Sequence, residues 1–240
     1  MNKGLIFHSF NKNINADQFY DIRIEELIKI LDFLKEKSLE KKVFITFDDG
    51  FKSIIEAVEE SLKRGFYTIA YIVTDYINKD GFLNENEIKY INQIGCIIGS
   101  HTKSHANLKK SDKLKLDIEL KESKETLSKV VSQEIIDISI PYGEENQKII
   151  KAAKKYYKRI AISRPLNSKE NIVMGRISIH SSNHFKHSWI GNSIEKDNYL
   201  LYKIKLIFIK LIKLFIPNKF YIKIKNYFTL KSSQDVFGKY

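Results

Sequence analysis

Cysteine is nearly absent. The 240 residues contain one, Cys96, so no intrachain disulfide is possible and packing must hold the fold. Proline and glycine are scarce, at three and ten residues, which argues against long disordered or low-complexity stretches. The first residues, Met1 to His8, carry too short an apolar stretch for a signal core and run directly into a strand pattern. The expectation is a cytoplasmic chain. What is present suffices for a sizeable core: 43% hydrophobic and 12% aromatic residues. The chain divides into one domain over residues 1–190 and a compositionally different tail over 191–240.

Within the domain, strand and helix patterns alternate, which predicts a parallel α/β sheet or barrel. Gly4 to Phe10 reads as an opening strand, and Ile24, Leu27, Ile28, Leu31 and Leu34 recur at helical spacing. Strands are predicted at Val43 to Phe47, Tyr67 to Val73, Cys96 to Gly99, Ile135 to Ile140, Arg159 to Ser163 and Arg176 to His180. Helices are predicted around Ile54 to Leu62, Asn84 to Ile94, Leu114 to Val131 and Glu144 to Tyr157. Cys96 sits in an apolar strand pattern and reads as a small buried hydrophobe.

Three strings follow strands: Thr46-Phe47-Asp48-Asp49-Gly50, Ser100-His101-Thr102-Lys103-Ser104-His105, and Pro141-Tyr142-Gly143. Each alone is weak, since Asp-Asp-Gly is an ordinary turn and paired histidines are often unrelated. Together they offer two adjacent carboxylates and two imidazoles four residues apart. One carboxylate and two histidines form a common ligand set for a catalytic divalent metal, with a position left for water. The spare carboxylate can act as a base, which points to metal-assisted hydrolysis. Two histidines at this spacing share a face if their segment is helical. The carboxyl ends of strands are where parallel barrels place their sites.

In this order and context, the strings resemble the polysaccharide deacetylases, the NodB-homology domain or carbohydrate esterase family four. The resemblance runs over residues 1 to 185. It implies an α/β fold, a distorted (β/α) barrel, and metal-dependent removal of an N- or O-acyl group from a sugar. It makes Asp48 the general base, and Asp49, His101 and His105 the ligands of a divalent metal, most often Zn2+. It assigns the Tyr142 backbone N–H to the oxyanion. The best-known branch carries an Arg two residues before the Pro-Tyr pair, where this chain has Ser139. In a variant branch an Arg on a later strand serves, and Arg176 is the candidate; an Arg covering the barrel rim with its stem is the equal alternative. The general acid is expected in a late hydrophobic-x-His string, here Ile179-His180, with His184 and His187 close by. His8 lies late in the opening strand and is assigned no step.

The tail departs from all this. From Tyr199 to Gln234 there is no acidic residue and there are eight lysines, a large part of the +12 net charge. Tyr199 to Ile216 is apolar apart from four of them, and Pro217 ends the predicted helix. The lysines interrupt the run too often for a spanning helix. A basic amphipathic helical tail on anionic lipid, and a helix packed on the barrel with solvated lysines, stand about even. Nucleic acid ranks lowest, because no binding motif accompanies the charge. The expected function is a metal-dependent hydrolase of carbon–nitrogen bonds other than peptide bonds. Its expected substrate is an acylated carbohydrate, such as a lipid-linked glycan precursor of surface-polysaccharide biosynthesis at the inner membrane face. The alternatives are a deformylase or other deacylase on the same scaffold, and a non-catalytic sugar-binding protein that kept the fold.

Overall fold

Runs of β-branched and aromatic residues, separated by amphipathic stretches, become strands and helices in a computed structural model that describes residues 3–11, 21–164 and 172–179. In chain order these are β1 (Lys3–Phe7), β2 (Ser9–Phe10), β3 (Asp21–Ile22), α1 (Ile24–Glu36), β4 (Val43–Phe47), α2 (Ile55–Lys63), β5 (Tyr67–Ile72) and α3 (Glu85–Gln93). They continue with β6 (Ile97–Ser100), α4 (Lys113–Val131), β7 (Asp137–Ser139), α5 (Gln147–Ala153), β8 (Arg159–Ile162) and β9 (Val173–Ser178). Strands β1, β4, β5, β6, β7, β8 and β9 close a barrel in that order. All neighbours are parallel, with Leu5 of β1 opposite Ile45 on one side and Ile177 on the other. The barrel is distorted, for β6 and β7 share only the Ser100–Ile138 register pair. Strands β2 and β3 form a separate small pair.

Alternation along each strand sorts side chains between two cores. Outward residues such as Leu5, Val43, Ile45, Phe47 and Ile98 join Leu27, Leu31 and Leu34 of α1, Val58 of α2 and Leu120 of α4 in one cluster. Phe44, Ile69, Tyr71 and Ala161 form a second, smaller cluster inside the barrel. Two glycines let these inner side chains lie against the wall. A Cβ on Gly99 would stand 2.6 Å from the Tyr71 ring, and one on Gly4 2.5 Å from the Phe44 ring and 2.6 Å from Arg176 Cγ. At the amino end of the barrel, the Arg159 guanidinium donates to Asp137 and to the Tyr67 hydroxyl, both at 2.6 Å. Cys96 is buried, and desolvation pushes its thiol well above the ordinary range.

Three expectations shift. The opening strand Gly4 to Phe10 divides at His8, because β2 leaves the barrel to pair with β3 and the Phe10 N–H donates to Ser53 Oγ at 3.0 Å. The helix expected over Glu144 to Tyr157 is only Gln147–Ala153; the Asn146 side chain caps it by accepting from Ile149 N–H, and residues 154–156 form turns. The His101–His105 segment is not helical. The tail over 191–240 and the boundary near residue 190 lie outside the described residues. Among the described residues, no helix is long and apolar enough to cross a membrane.

The tight Gly99–Tyr71 contact generates a test. Gly99→Ala should lower stability by about 1–3 kcal/mol through overpacking inside the barrel. Urea unfolding followed by circular dichroism reads this out, and an unchanged midpoint would mean that the Tyr71 ring yields freely.

Candidate active site

Asp48 and Asp49 follow β4, and their backbone turns sharply at that point. Asp48 N–H still pairs with Phe7 O at 2.9 Å, whereas Asp49 has φ 73° and Gly50 φ 84°. The turn sends the two carboxylates to different partners. The Asp48 carboxylate points along the barrel interior and is 2% exposed. Arg176 of β9, fully buried, meets it with both arms of its guanidinium: Nη1 to Oδ1 at 2.6 Å and Nη2 to Oδ2 at 2.9 Å. The same guanidinium donates to Thr46 Oγ1 at 2.9 Å and to Ser139 Oγ at 2.6 Å, and lies 5.0 Å from the centre of the Tyr71 ring. Ser139 Oγ in turn donates to Asp48 Oδ2 at 3.1 Å. A small residue at 139 leaves room for a guanidinium that arrives from β9, so Arg176 lies inside the barrel and not on its rim. Burial pushes the Asp48 carboxyl up, but Arg176 and His101 outweigh it and hold it well below the ordinary carboxylate range.

Asp49 faces the imidazoles. Its Oδ1 is 3.3 Å from Nε2 of His101 and 3.3 Å from Nε2 of His105. His101 follows β6, where its N–H donates to Ile72 O at 2.8 Å. Its Nδ1 lies 2.9 Å from Ser139 O. A carbonyl can only accept, so Nδ1 carries a proton, and in the neutral ring the Nε2 lone pair faces Asp49. His105 Nδ1 is 3.2 Å from the Tyr142 hydroxyl. Burial lowers the pKa of His101, yet Asp48 and Asp49 outweigh it and the net shift is upward; burial and then His101 lower that of His105. One ligand atom each from Asp49, His101 and His105 lies within 4.8 Å of the others. Asp49 Oδ1 is buried without a hydrogen-bond donor. An orphaned carboxylate oxygen facing the Nε2 atoms of two imidazoles fits a divalent cation, and the N/O donor set suits zinc.

A cleft of about 290 Å³ opens above these groups. It is lined by Asp48, Asp49, His101 and His105, together with Tyr142 and His8. Burial lowers the pKa of His8, so its ring stays neutral over more of the pH range than a free imidazole. Tyr142 adopts φ 60° and ψ 0° in the turn after β7, a left-handed conformation outside the usual range of a tyrosine. His180 lies outside the described residues. The two histidines converge through a loop and not along a helical face. Thr102 and His105 have left-handed backbones, φ 68° and 59°, which an α-helix does not admit, and the Glu119 carboxylate accepts from the N–H groups of Lys103 and Ser104 between them. The sequence reading passed over Glu119 and Ser123, took Thr46 only as part of its string, and noted Ser139 only as the place of a missing Arg. The signal for the first two was available: Leu116, Leu120, Leu127 and Val130 mark the buried face of α4, and Glu119 and Ser123 lie on it.

The Asp48–Arg176 pair generates a prediction for the metal-free protein. Arg176→Ala leaves a buried carboxylate uncompensated and should cost about 3–5 kcal/mol at neutral pH. Because the folded pKa of Asp48 is depressed below 3.8, its stabilising contribution is present above that value and fades as the pH falls below it. Denaturant unfolding of the metal-free wild type and variant should therefore show the largest gap at neutral pH and a narrowing gap below about pH 4. A gap independent of pH would contradict the assignment.

Comparison with known proteins places this geometry. The polysaccharide deacetylase family model matches residues 35–161. YxkH of Bacillus subtilis (strain 168), which is named for the same family, is 31% identical over 121 residues, covering 50% of this chain and 43% of YxkH. The chain thus matches less than half the length of that curated relative. The crystal structure of BC0361, a polysaccharide deacetylase from Bacillus cereus, superimposes with a TM-score of 0.69 at 24% identity, covering 81% of this chain and 69% of that one. The Streptococcus pyogenes deacetylase PplD, solved in complex with acetate, gives 0.71 at 17% identity, covering 80% and 97%. At these identities the superpositions establish the shared barrel. The sequence match extends over more than half of the chain, and the chain belongs to the polysaccharide deacetylase family.

Proposed function

We propose that this chain is a metal-dependent hydrolase that removes an N-acyl group, acetyl first among them, from a sugar. The observation that carries the reading is a buried carboxylate kept ionised by Arg176, adjacent to the Asp49–His101–His105 donor set in the lining of one cleft. A divalent ion held by that set supplies Lewis acidity and a water of near-neutral pKa.

The residues then divide the work. Asp48 takes the proton of the attacking water. Arg176 keeps Asp48 ionised, and so able to accept a proton, but also makes it a weak base. Arg176 and Ser139 fix the direction of the carboxylate. The Tyr142 backbone N–H is assigned to the oxyanion, where charge develops as the carbonyl is attacked. The leaving amine needs a proton. The family resemblance points to His180 for it, and the cleft offers His8 as another candidate.

The substrate is an acylated carbohydrate. The greasy, lysine-rich tail supports a lipid-linked glycan precursor at the inner face of a membrane, with peripheral attachment to anionic lipid.

Four outcomes test these readings. Elemental analysis should find one zinc-like ion per chain, lost in His101→Ala and kept in Asp48→Asn. Acetate release from N-acetylated hexosamine oligosaccharides should fall by about 10²–10⁴ in Asp48→Asn; full turnover in that variant would sink the mechanism. Of His8→Ala and His180→Ala, the one that removes the acid should lower kcat by a comparable factor without loss of metal. Deletion of residues 199–240 should move the protein from the membrane to the soluble fraction, and a wild type already fully soluble would redirect the search to free or nucleotide-linked sugars.

A further inference from the structure

Helix α4 carries two buried polar side chains one turn apart, Glu119 at 3% exposure and Ser123 at 0%. Neither lines the cleft. Both hold the loop between the two histidines. Glu119 Oε2 accepts from Lys103 N–H and Ser104 N–H, each at 2.9 Å, and Oε1 accepts from Ser104 Oγ at 2.5 Å. Ser123 continues a directed chain: Thr102 N–H donates to Ser100 Oγ at 3.0 Å, Ser100 to Ser123 Oγ at 2.8 Å, and Ser123 to Glu119 O at 2.7 Å.

The loop needs that support. Thr102 and His105 both have left-handed backbones, φ 68° and 59°, which side-chain-bearing residues adopt only when their surroundings impose it. Glu119 binds the two residues between them. On the other side of the loop, Asp75 N–H donates to Lys103 O at 2.9 Å and Thr74 N–H to Thr102 O at 3.3 Å, so the segment is held from both sides. His101 is anchored independently, through Ile72 O and Ser139 O. Among the described residues, His105 has no backbone hydrogen bond to a strand; its ring meets the Tyr142 hydroxyl at 3.2 Å, and its approach to Asp49 otherwise depends on the loop.

We infer that Glu119 is a positioning residue: it presents His105 to the metal by accepting three hydrogen bonds from the loop, with Ser123 bracing the loop's start. The inference rests on the metal reading of the Asp49–His101–His105 set. It also specifies how Glu119 acts. A glutamine can place its carbonyl oxygen where Oε2 accepts both N–H groups, while its amide donates to the Ser104 hydroxyl. The role is geometric acceptance and not charge, so Glu119→Gln should rescue what Glu119→Ala loses.

The test has two readouts. In metal-free protein, hydrogen exchange of the Lys103 and Ser104 amides should accelerate in Glu119→Ala and stay near wild type in Glu119→Gln. In a Co2+ titration of folded protein followed by visible absorption, Glu119→Ala should bind about 10–100-fold more weakly, with an altered band, while Glu119→Gln stays within a few-fold of wild type. A purely structural role would lower the melting temperature but leave the Co2+ affinity and spectrum of the folded protein unchanged. Wild-type affinity in Glu119→Ala overturns the inference, as does a Glu119→Gln variant as impaired as Glu119→Ala. Should Glu119→Ala fail to fold, Ser104→Ala carries the test: weaker Co2+ binding supports the inference, and unchanged binding and exchange overturn it. A wild type that binds no Co2+ overturns the metal reading instead, and the exchange data alone then decide whether Glu119 holds the loop.

Discussion

The buried pair of Asp48 and Arg176 is the constraint around which the site is arranged. A charge inside a barrel is tolerable only with a partner and with its remaining hydrogen bonds made. Thr46, Ser139 and the face of Tyr71 supply the rest of the guanidinium's surroundings. The small residues of the wall follow from the same need. Gly4 lies against the Arg176 stem, and Ser139 leaves the space into which the guanidinium reaches. The barrel interior is therefore polar at its carboxyl end and apolar through its middle layer of Phe44, Ile69, Tyr71 and Ala161.

Strain is concentrated at the same end. Among the described residues, seven other than glycine have positive φ, and four of them are Asp49, Thr102, His105 and Tyr142. Each belongs to one of the three strings that meet at the cleft. Such conformations persist where the surroundings over-determine them, and here the determinants are identifiable: the pairing of Asp48 N–H to β1, the grip of α4 on the histidine loop, and the turn begun by Pro141. Rigid strands and helices thus set the loops that carry the chemistry.

How much was legible in the sequence depended on whether the determinant was local. The apolar runs at Val43 to Phe47 and Tyr67 to Val73 are strands because burial on both faces leaves no other reading. The carboxylates and imidazoles stood out because they follow those runs directly. The shape of the loop from His101 to His105 did not: the apolar spacing of α4 puts Glu119 on a buried face, but nothing local shows that its carboxylate meets the Lys103 and Ser104 N–H groups. Arg176 was ambiguous for a similar reason: a rim arginine and an interior one look alike until the register of β9 on β1 and the space at Ser139 are known. Glu144 to Tyr157 looked helical throughout, but Asn146 competes for backbone donors and starts the helix late.

The pairing of Arg176 with Asp48 spans 128 positions of the chain and crosses the seam where β9 closes onto β1. During vectorial synthesis, β4 and its carboxylate emerge long before the strand that neutralises them. Until β9 docks, an open sheet carries a bare anion at the point where its interior should seal, and non-local closure of this kind is slow. Once it docks, the electrostatic gain and the last row of strand hydrogen bonds arrive together. Docking of β9 closes the barrel and brings Arg176 to Asp48, so a chain lacking β9 has neither the closed sheet nor the guanidinium that holds this carboxylate.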